Sequence, residues 1–165
     1  MIPPSEVRVA MNLFAYGTLM TPEGSHAALG DRASALRYRV ARLRGWRRVW
    51  NAYRQEWGGG VLNVEPDADS EVVGVVIEGL VKGDFALLDL QEASHLPRRE
   101  VYVACEGEEA VPAQMYWRQR GNHEGKPSER YRAIVLLRAR DAGAAVLANL
   151  VTGSVDPWGQ PLKLG

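Results

Sequence analysis

The chain has 165 residues, 46% of them apolar, and its 20 basic and 20 acidic side chains balance to a formal net charge of zero. That size suits one domain with an ordinary core, and the neutral total argues against a nucleic-acid coat or a membrane-surface protein. No apolar run approaches the roughly 18 residues of a membrane span, and the single cysteine, Cys105, excludes an internal disulfide and fits a reducing compartment.

Residues 1–11, with Pro3-Pro4 and the charges Glu6 and Arg8, read as a flexible tail, and 12–165 as one domain. No basic segment followed by an apolar one opens the chain, so no secretory signal is expected and the expected location is the cytoplasm. Val9–Tyr16 predicts the first strand, and the segment 21–31 a turn into a short helix or loop. Residues 34–50 interleave Val, Tyr, Trp and Leu with arginine and predict one or two strands, broken near Gly45. The run Gly58-Gly59-Gly60 reads as a flexible turn that lets backbone pass close to something. It leads into a strand that ends in a turn at Glu65-Pro66-Asp67, and 70–81 is a further β-branched strand.

The segment 82–93 carries Phe85, Leu87, Leu88 and Leu90 behind Asp84, a candidate cap, and predicts a helix. Residues 99–107 and 111–120 predict a hairpin. Residues 128–154 predict two helices, interrupted near 141–143, the first capped by Ser128. Strands, a helix, strands and two helices in that order are not the alternation of a doubly wound sheet. They predict an α+β fold: a small mixed β-barrel or sheet with a few flanking helices.

Several chemistries find little support. His26, His95 and His123 lie far apart without zinc-ligand spacing. The glycine run matches neither a dinucleotide nor a phosphate loop, and no GxSxG is present. Cys105 sits in an apolar strand run, where a packed thiol is the usual state. The cluster Arg37, Arg39, Arg42, Arg44, Arg47 and Arg48, beside Trp46 and Trp50, could grip single-stranded nucleic acid. The neutral total favours a solvated strand face whose arginine stems cover apolar surface. What stays is a carboxylate, Glu92, at the end of an apolar helical stretch, and a strand that breaks at Gly17.

Three motifs in order carry a resemblance. Tyr16-Gly17-Thr18-Leu19 follows the first strand, Leu88-Asp89-Leu90-Gln91-Glu92-Ala93 closes the central helix, and Lys126-Pro127-Ser128 with Tyr131 enters the C-terminal helices. Together they resemble the γ-glutamylcyclotransferase family over roughly 12–155, in the shorter bacterial-type form of the first motif. Ala93 stands where the family usually has glycine. The resemblance implies release of 5-oxoproline from a γ-glutamyl amide or peptide by attack of its own α-amine on its γ-carbonyl. It makes Glu92 the general acid/base and requires neither metal nor cofactor. It also implies that the backbone N–H groups of Gly17, Thr18 and Leu19 cradle the ligand. Gly17 would supply positive φ and close approach, Tyr16 and Tyr131 would line the glutamyl site, and Asn51 and Trp50 would stand at the far wall. The expected partner is a small-molecule γ-glutamyl substrate, with no nucleic acid and no membrane, bound by a monomer or homodimer. Two other readings stay open: an idle protein of the same fold that binds a small carboxylate or a partner, and a nucleic-acid-binding module using Arg37–Arg48.

Overall fold

Alternating burial along the arginine-rich segment sets the first large feature. The computed structural model describes residues 11–92 and 96–164. Residues 1–10, which include Val9 and Ala10 of the predicted first strand, and residues 93–95 lie outside these residues, while Met11, read as the last of the tail, opens the first strand. Strand β1 runs Met11–Ala15, and helix α1 runs Pro22–Leu29 behind its cap Thr21, whose hydroxyl accepts from the Gly24 N–H at 3.1 Å. Then comes β2, Arg37–Arg54, a single strand of 18 residues. The expected break near Gly45 is a register shift between Arg44 and Trp46, not an end of the strand.

Strand β3, Gly59–Leu80, is longer still, with 22 residues. The turn expected at Glu65-Pro66-Asp67 does not form. Pro66 pairs with Trp46 of β2, and β1 reaches only the later part of β3, from Val75 onward. Around Pro66 the strand therefore has one ladder only, where a missing donor is tolerated. Helix α2, Lys82–Glu92, begins with a variation on the expected cap. Asp84 is its third residue, and its Oδ2 reaches back to accept from the Val81 N–H at 2.8 Å.

Strands β4, Arg98–Val103, and β5, Val111–Tyr116, form the expected hairpin. Helices α3, Glu129–Ala142, and α4, Ala144–Gly153, follow. Ser128 caps α3 as read from the sequence, accepting from the Tyr131 N–H at 3.2 Å.

The sheet order is β2-β3-β1-β5-β4, antiparallel except for the β1–β5 pair. This is a mixed α+β architecture, and the sheet is not closed into a barrel. Just past the end of β4, Ala104 exchanges two backbone hydrogen bonds of 2.9 and 3.1 Å with Arg42 of the opposite edge strand, β2. The core collects Leu13 and Phe14 of β1, Val75–Ile77 of β3, Phe85 and Leu88 of α2, Met115 of β5, and Val135, Val146 and Leu150 of the last helices. No helix among the described residues is long and apolar enough to cross a membrane.

The arginine cluster divides in two. Arg37 and Arg39 reach Glu78, Arg39 also meets Glu108, Arg42 pairs with Glu71, and Arg47 with Glu65 and Asp67. Arg48 departs from the expected solvated face, being 1% exposed. It donates to the Tyr16 carbonyl at 2.9 Å, to the Val73 carbonyl at 2.8 Å and to the Asn149 side chain. Burial lowers its pKa to about 10, while the neighbouring phenols of Tyr131 and Tyr16 act the other way.

Candidate active site

β1 ends at Ala15, paired with Val75 of β3, and the chain turns at once. The Met20 N–H closes that turn on the Gly17 carbonyl at 3.3 Å. Behind it, Ser25 of α1 donates to the Leu19 carbonyl at 2.8 Å, and Arg48 holds the Tyr16 carbonyl. The carbonyls of this loop therefore point back into the protein. No hydrogen bond within the described residues occupies the N–H of Gly17, Thr18 or Leu19. Successive free amides on one loop form an anion-binding concavity.

The loop lines a pocket with Ala15, Tyr16, Arg54, Leu62, Glu92, Leu96, Tyr116 and Tyr131. Glu92 and the residues 16–19, about 70 positions apart in the chain, thus share one cavity. Glu92 is the last residue of α2 and only 4% exposed. Its Oε2 accepts from Arg54 Nη1 at 2.9 Å, and its Oε1 from the Gln91 side-chain amide at 3.2 Å. Arg54 ends β2 and is itself anchored, donating to the Gln91 carbonyl at 2.7 Å and meeting Glu56 at 2.6 Å. The carboxylate is paired without being sealed off, because both it and Arg54 lie on the cavity wall.

Tyr131 enters from the first turn of α3. The glycine run fixes its approach: the Gly60 N–H donates to the Lys126 carbonyl at 3.1 Å, and the Ser128 N–H to the Gly60 carbonyl at 2.9 Å. A side chain at Gly59 would meet Ser128 at 3.0 Å, so the segment the run was expected to skirt is the entry to α3. The Tyr131 ring packs edge-on between Trp50, at 5.6 Å, and Trp57, at 5.2 Å. The Leu62 backbone faces its oxygen, and burial first, then Glu92, raise its pKa above the ordinary phenol value. It is therefore a neutral hydroxyl on the cavity wall. Tyr16 is raised likewise, by burial, Tyr131 and Glu92, and its hydroxyl donates to the Tyr116 carbonyl at 2.5 Å.

Gly17 has a reason other than the expected one. Its φ is not positive. A Cβ there would lie 2.8 Å from the Tyr131 hydroxyl oxygen. The glycine makes room for the phenol.

Asn51 does not line the cavity. Its Oδ1 accepts from Asn63 at 3.0 Å, and its carbonyl accepts from the Asn122 and His123 N–H groups at 2.9 and 3.0 Å, which holds the loop after β5. Trp50 is fully buried behind Tyr131 and also stays off the cavity wall. Sequence reasoning missed Arg54, Leu62 and Tyr116. The one signal for Arg54 was a seventh arginine at the end of the same strand. Tyr116 is steadied by Asp89, to which its hydroxyl donates at 2.6 Å, and Arg98 grips both oxygens of Asp89, at 2.8 and 3.0 Å.

Residues 13–133 match the profile of the family described as γ-glutamyl cyclotransferase, AIG2-like. The chain belongs to this family. Among solved structures, one named γ-glutamyl cyclotransferase is 23% identical over 86% of this chain and 85% of its own, with a TM-score of 0.73. An uncharacterised human protein is 25% identical over 81% and 80%, with a TM-score of 0.71. A yeast γ-glutamyl cyclotransferase specific to glutathione shares the fold at 11% identity, with a TM-score of 0.60 over 86% of this chain and 95% of its own. No curated protein sequence matches the chain. Among the described residues, no three His, Cys, Asp or Glu side chains gather as metal ligands.

Proposed function

We propose that this chain releases 5-oxoproline from a γ-glutamyl amide or peptide, with Glu92 moving the proton. The observation that carries the reading is the shared cavity of the Glu92 carboxylate and the free amides of Gly17, Thr18 and Leu19.

The chemistry needs little more. The α-amine of the γ-glutamyl group attacks the γ-carbonyl carbon of the same molecule, so the reacting atoms arrive already joined. A C–N bond forms within the new five-membered ring, and the C–N bond to the leaving amine breaks. The α-ammonium loses one proton before the attack and the ring nitrogen a second after it, while the leaving nitrogen gains one to depart as an amine and another to become ammonium. Glu92 takes protons from the attacking nitrogen and hands them to the leaving one. Arg54 and Gln91 fix the carboxylate's direction through one hydrogen bond on each oxygen. The developing oxyanion, or the α-carboxylate, meets the loop amides and the Tyr131 hydroxyl, donors already in place before the charge forms.

The test is a release assay. The protein is incubated with a panel of γ-glutamyl amino acids, γ-glutamylamines and glutathione, and 5-oxoproline is sought by mass spectrometry. Release from at least one, lost in Glu92→Gln, supports the proposal. Absence of 5-oxoproline across the panel overturns it and favours the idle-binder reading.

A further inference from the structure

The reactive cavity is small, with about 40 Å³ of free volume. A second cavity of about 400 Å³ adjoins it and shares two wall residues, Thr18 and Arg54. Glu23 of α1, Glu56 and Trp57 after β2, and Arg138 of α3 complete much of its lining. A group seated against the loop amides leaves no further room in a cavity of this size. Whatever is attached to the amide nitrogen of a γ-glutamyl group must extend elsewhere, and the large cavity is the adjoining space.

The charges of this second cavity are not balanced from within. Arg54 is already engaged by Glu92 and Glu56. Glu23 is exposed at the rim. Arg138 lies seven residues after Tyr131, two helical turns along the same face of α3. Its Nε is shielded from solvent and has no hydrogen-bond partner, and no carboxylate lies within ion-pair distance of its guanidinium among the described residues. The Nε is closed to the cavity as well as to solvent, so a ligand there would meet the outer, Nη edge of a guanidinium that no carboxylate neutralises. A planar guanidinium matches a carboxylate through two parallel hydrogen bonds.

The geometry points to Arg138 as the group that receives a carboxylate on the leaving amine. The favoured substrates are then γ-glutamyl conjugates of amino acids, linked through either the α-amine or a side-chain amine, over conjugates of simple alkylamines. This inference rests on the cyclotransferase reading above.

Two matched pairs test it. γ-Glutamylalanine and γ-glutamylethylamide differ only by the carboxylate of the leaving group. So do ε-(γ-glutamyl)lysine and mono-γ-glutamylcadaverine. The kcat/KM of the carboxylate-bearing member exceeds that of its partner by about tenfold or more in at least one pair, the size of a charge-assisted contact. The pair that shows it identifies the attachment. Arg138→Gln collapses the ratio toward one, and Arg138→Lys, which keeps the charge but not the fork, retains part of it. A wild-type ratio near one in both pairs, or a ratio unchanged in Arg138→Gln, overturns the inference. The wild-type ratio alone decides if Arg138→Gln does not fold.

If no compound yields 5-oxoproline, the proposed reaction falls, and calorimetric binding to the Glu92→Gln protein reads the subsite instead. Tighter binding of γ-glutamylalanine than of γ-glutamylethylamide, lost on adding Arg138→Gln, upholds the subsite. Equal affinities overturn it.

Discussion

The Tyr131 hydroxyl oxygen stands 2.8 Å from the point where a side chain on Gly17 would begin. A real Cβ does not approach an oxygen so closely, and neither partner is free to yield. Gly17 is held by its turn, and Tyr131 by the two tryptophans and the capped start of α3. Gly17→Ala is therefore expected to cost about 1–3 kcal/mol, as overpacking does, and to weaken ligand binding. Tyr131→Phe, which removes the clashing oxygen, restores part of the stability in the double variant. Urea unfolding of the four proteins closes the cycle, and additivity of the two single effects would show that the residues do not meet in this way.

The Glu92–Arg54 pair makes a second expectation. Glu92→Gln keeps an acceptor for Arg54 but loses the proton carrier. Turnover should fall about 10²- to 10⁴-fold, the range for a positioned acid/base, with only a small change in melting temperature. Arg54→Met is different, because it leaves a buried carboxylate without its cation, a loss of about 3–5 kcal/mol for pairs of this kind. Adding Glu92→Gln to Arg54→Met should recover stability. Thermal melts of the three variants check this, and an Arg54→Met protein as stable as wild type would mean the pair lies open to water.

Arg48 is expected to be the most sensitive member of its cluster. Arg48→Leu strands the Tyr16 and Val73 carbonyls, each at about 1–3 kcal/mol when left unsatisfied and buried, while Asn149 keeps its bonds to the Val73 N–H and the Glu71 carbonyl. Replacing Arg37, whose ion pair spans 3.9 Å at the surface, should change stability by less than about 1 kcal/mol. Equal effects in denaturant midpoint would contradict the buried role of Arg48.

Alkaline pH supplies a fourth. The phenols of Tyr16, Tyr116 and Tyr131 are all raised above their ordinary value, chiefly by burial. Above about pH 10 the unfolded chain loses these protons while the folded chain keeps them, so the unfolded state binds fewer protons and stability falls as pH rises. Arg48, lowered to about 10, acts in the opposite sense but is one group against three. Tyrosine ionisation followed by ultraviolet absorbance should stay incomplete past pH 10 and finish only with unfolding. Full ionisation of a still-folded protein would refute the burial of these rings.

Much of this was legible in the sequence, for local reasons. Ser128 reads as a cap because the residue type and the following helix suffice. The hairpin from 98 to 116 and the break at Gly143 are likewise local. The long strands were not legible: Gly45 and Pro66 signal breaks, but a register shift absorbs one and a single-sided ladder the other. At the site, the resemblance carried by the three motifs implied that Glu92 and the loop belong together, yet nothing pointed to Arg54, because an ion pair across 38 positions leaves no periodic trace. Gly17 was noticed for the wrong cause. Its need for emptiness is set by a tyrosine 114 residues away, which only the packed molecule reveals.

The walls of the reactive cavity come from the ends of β1, β2, β5 and α2 and the beginnings of β3 and α3. No contiguous half of the polypeptide can assemble it. A bound ligand should therefore act as a clasp on the entire molecule, raising the midpoint of global unfolding in proportion to the logarithm of its concentration. A thermal-shift screen then becomes a way to find compounds that fit before any product is detected.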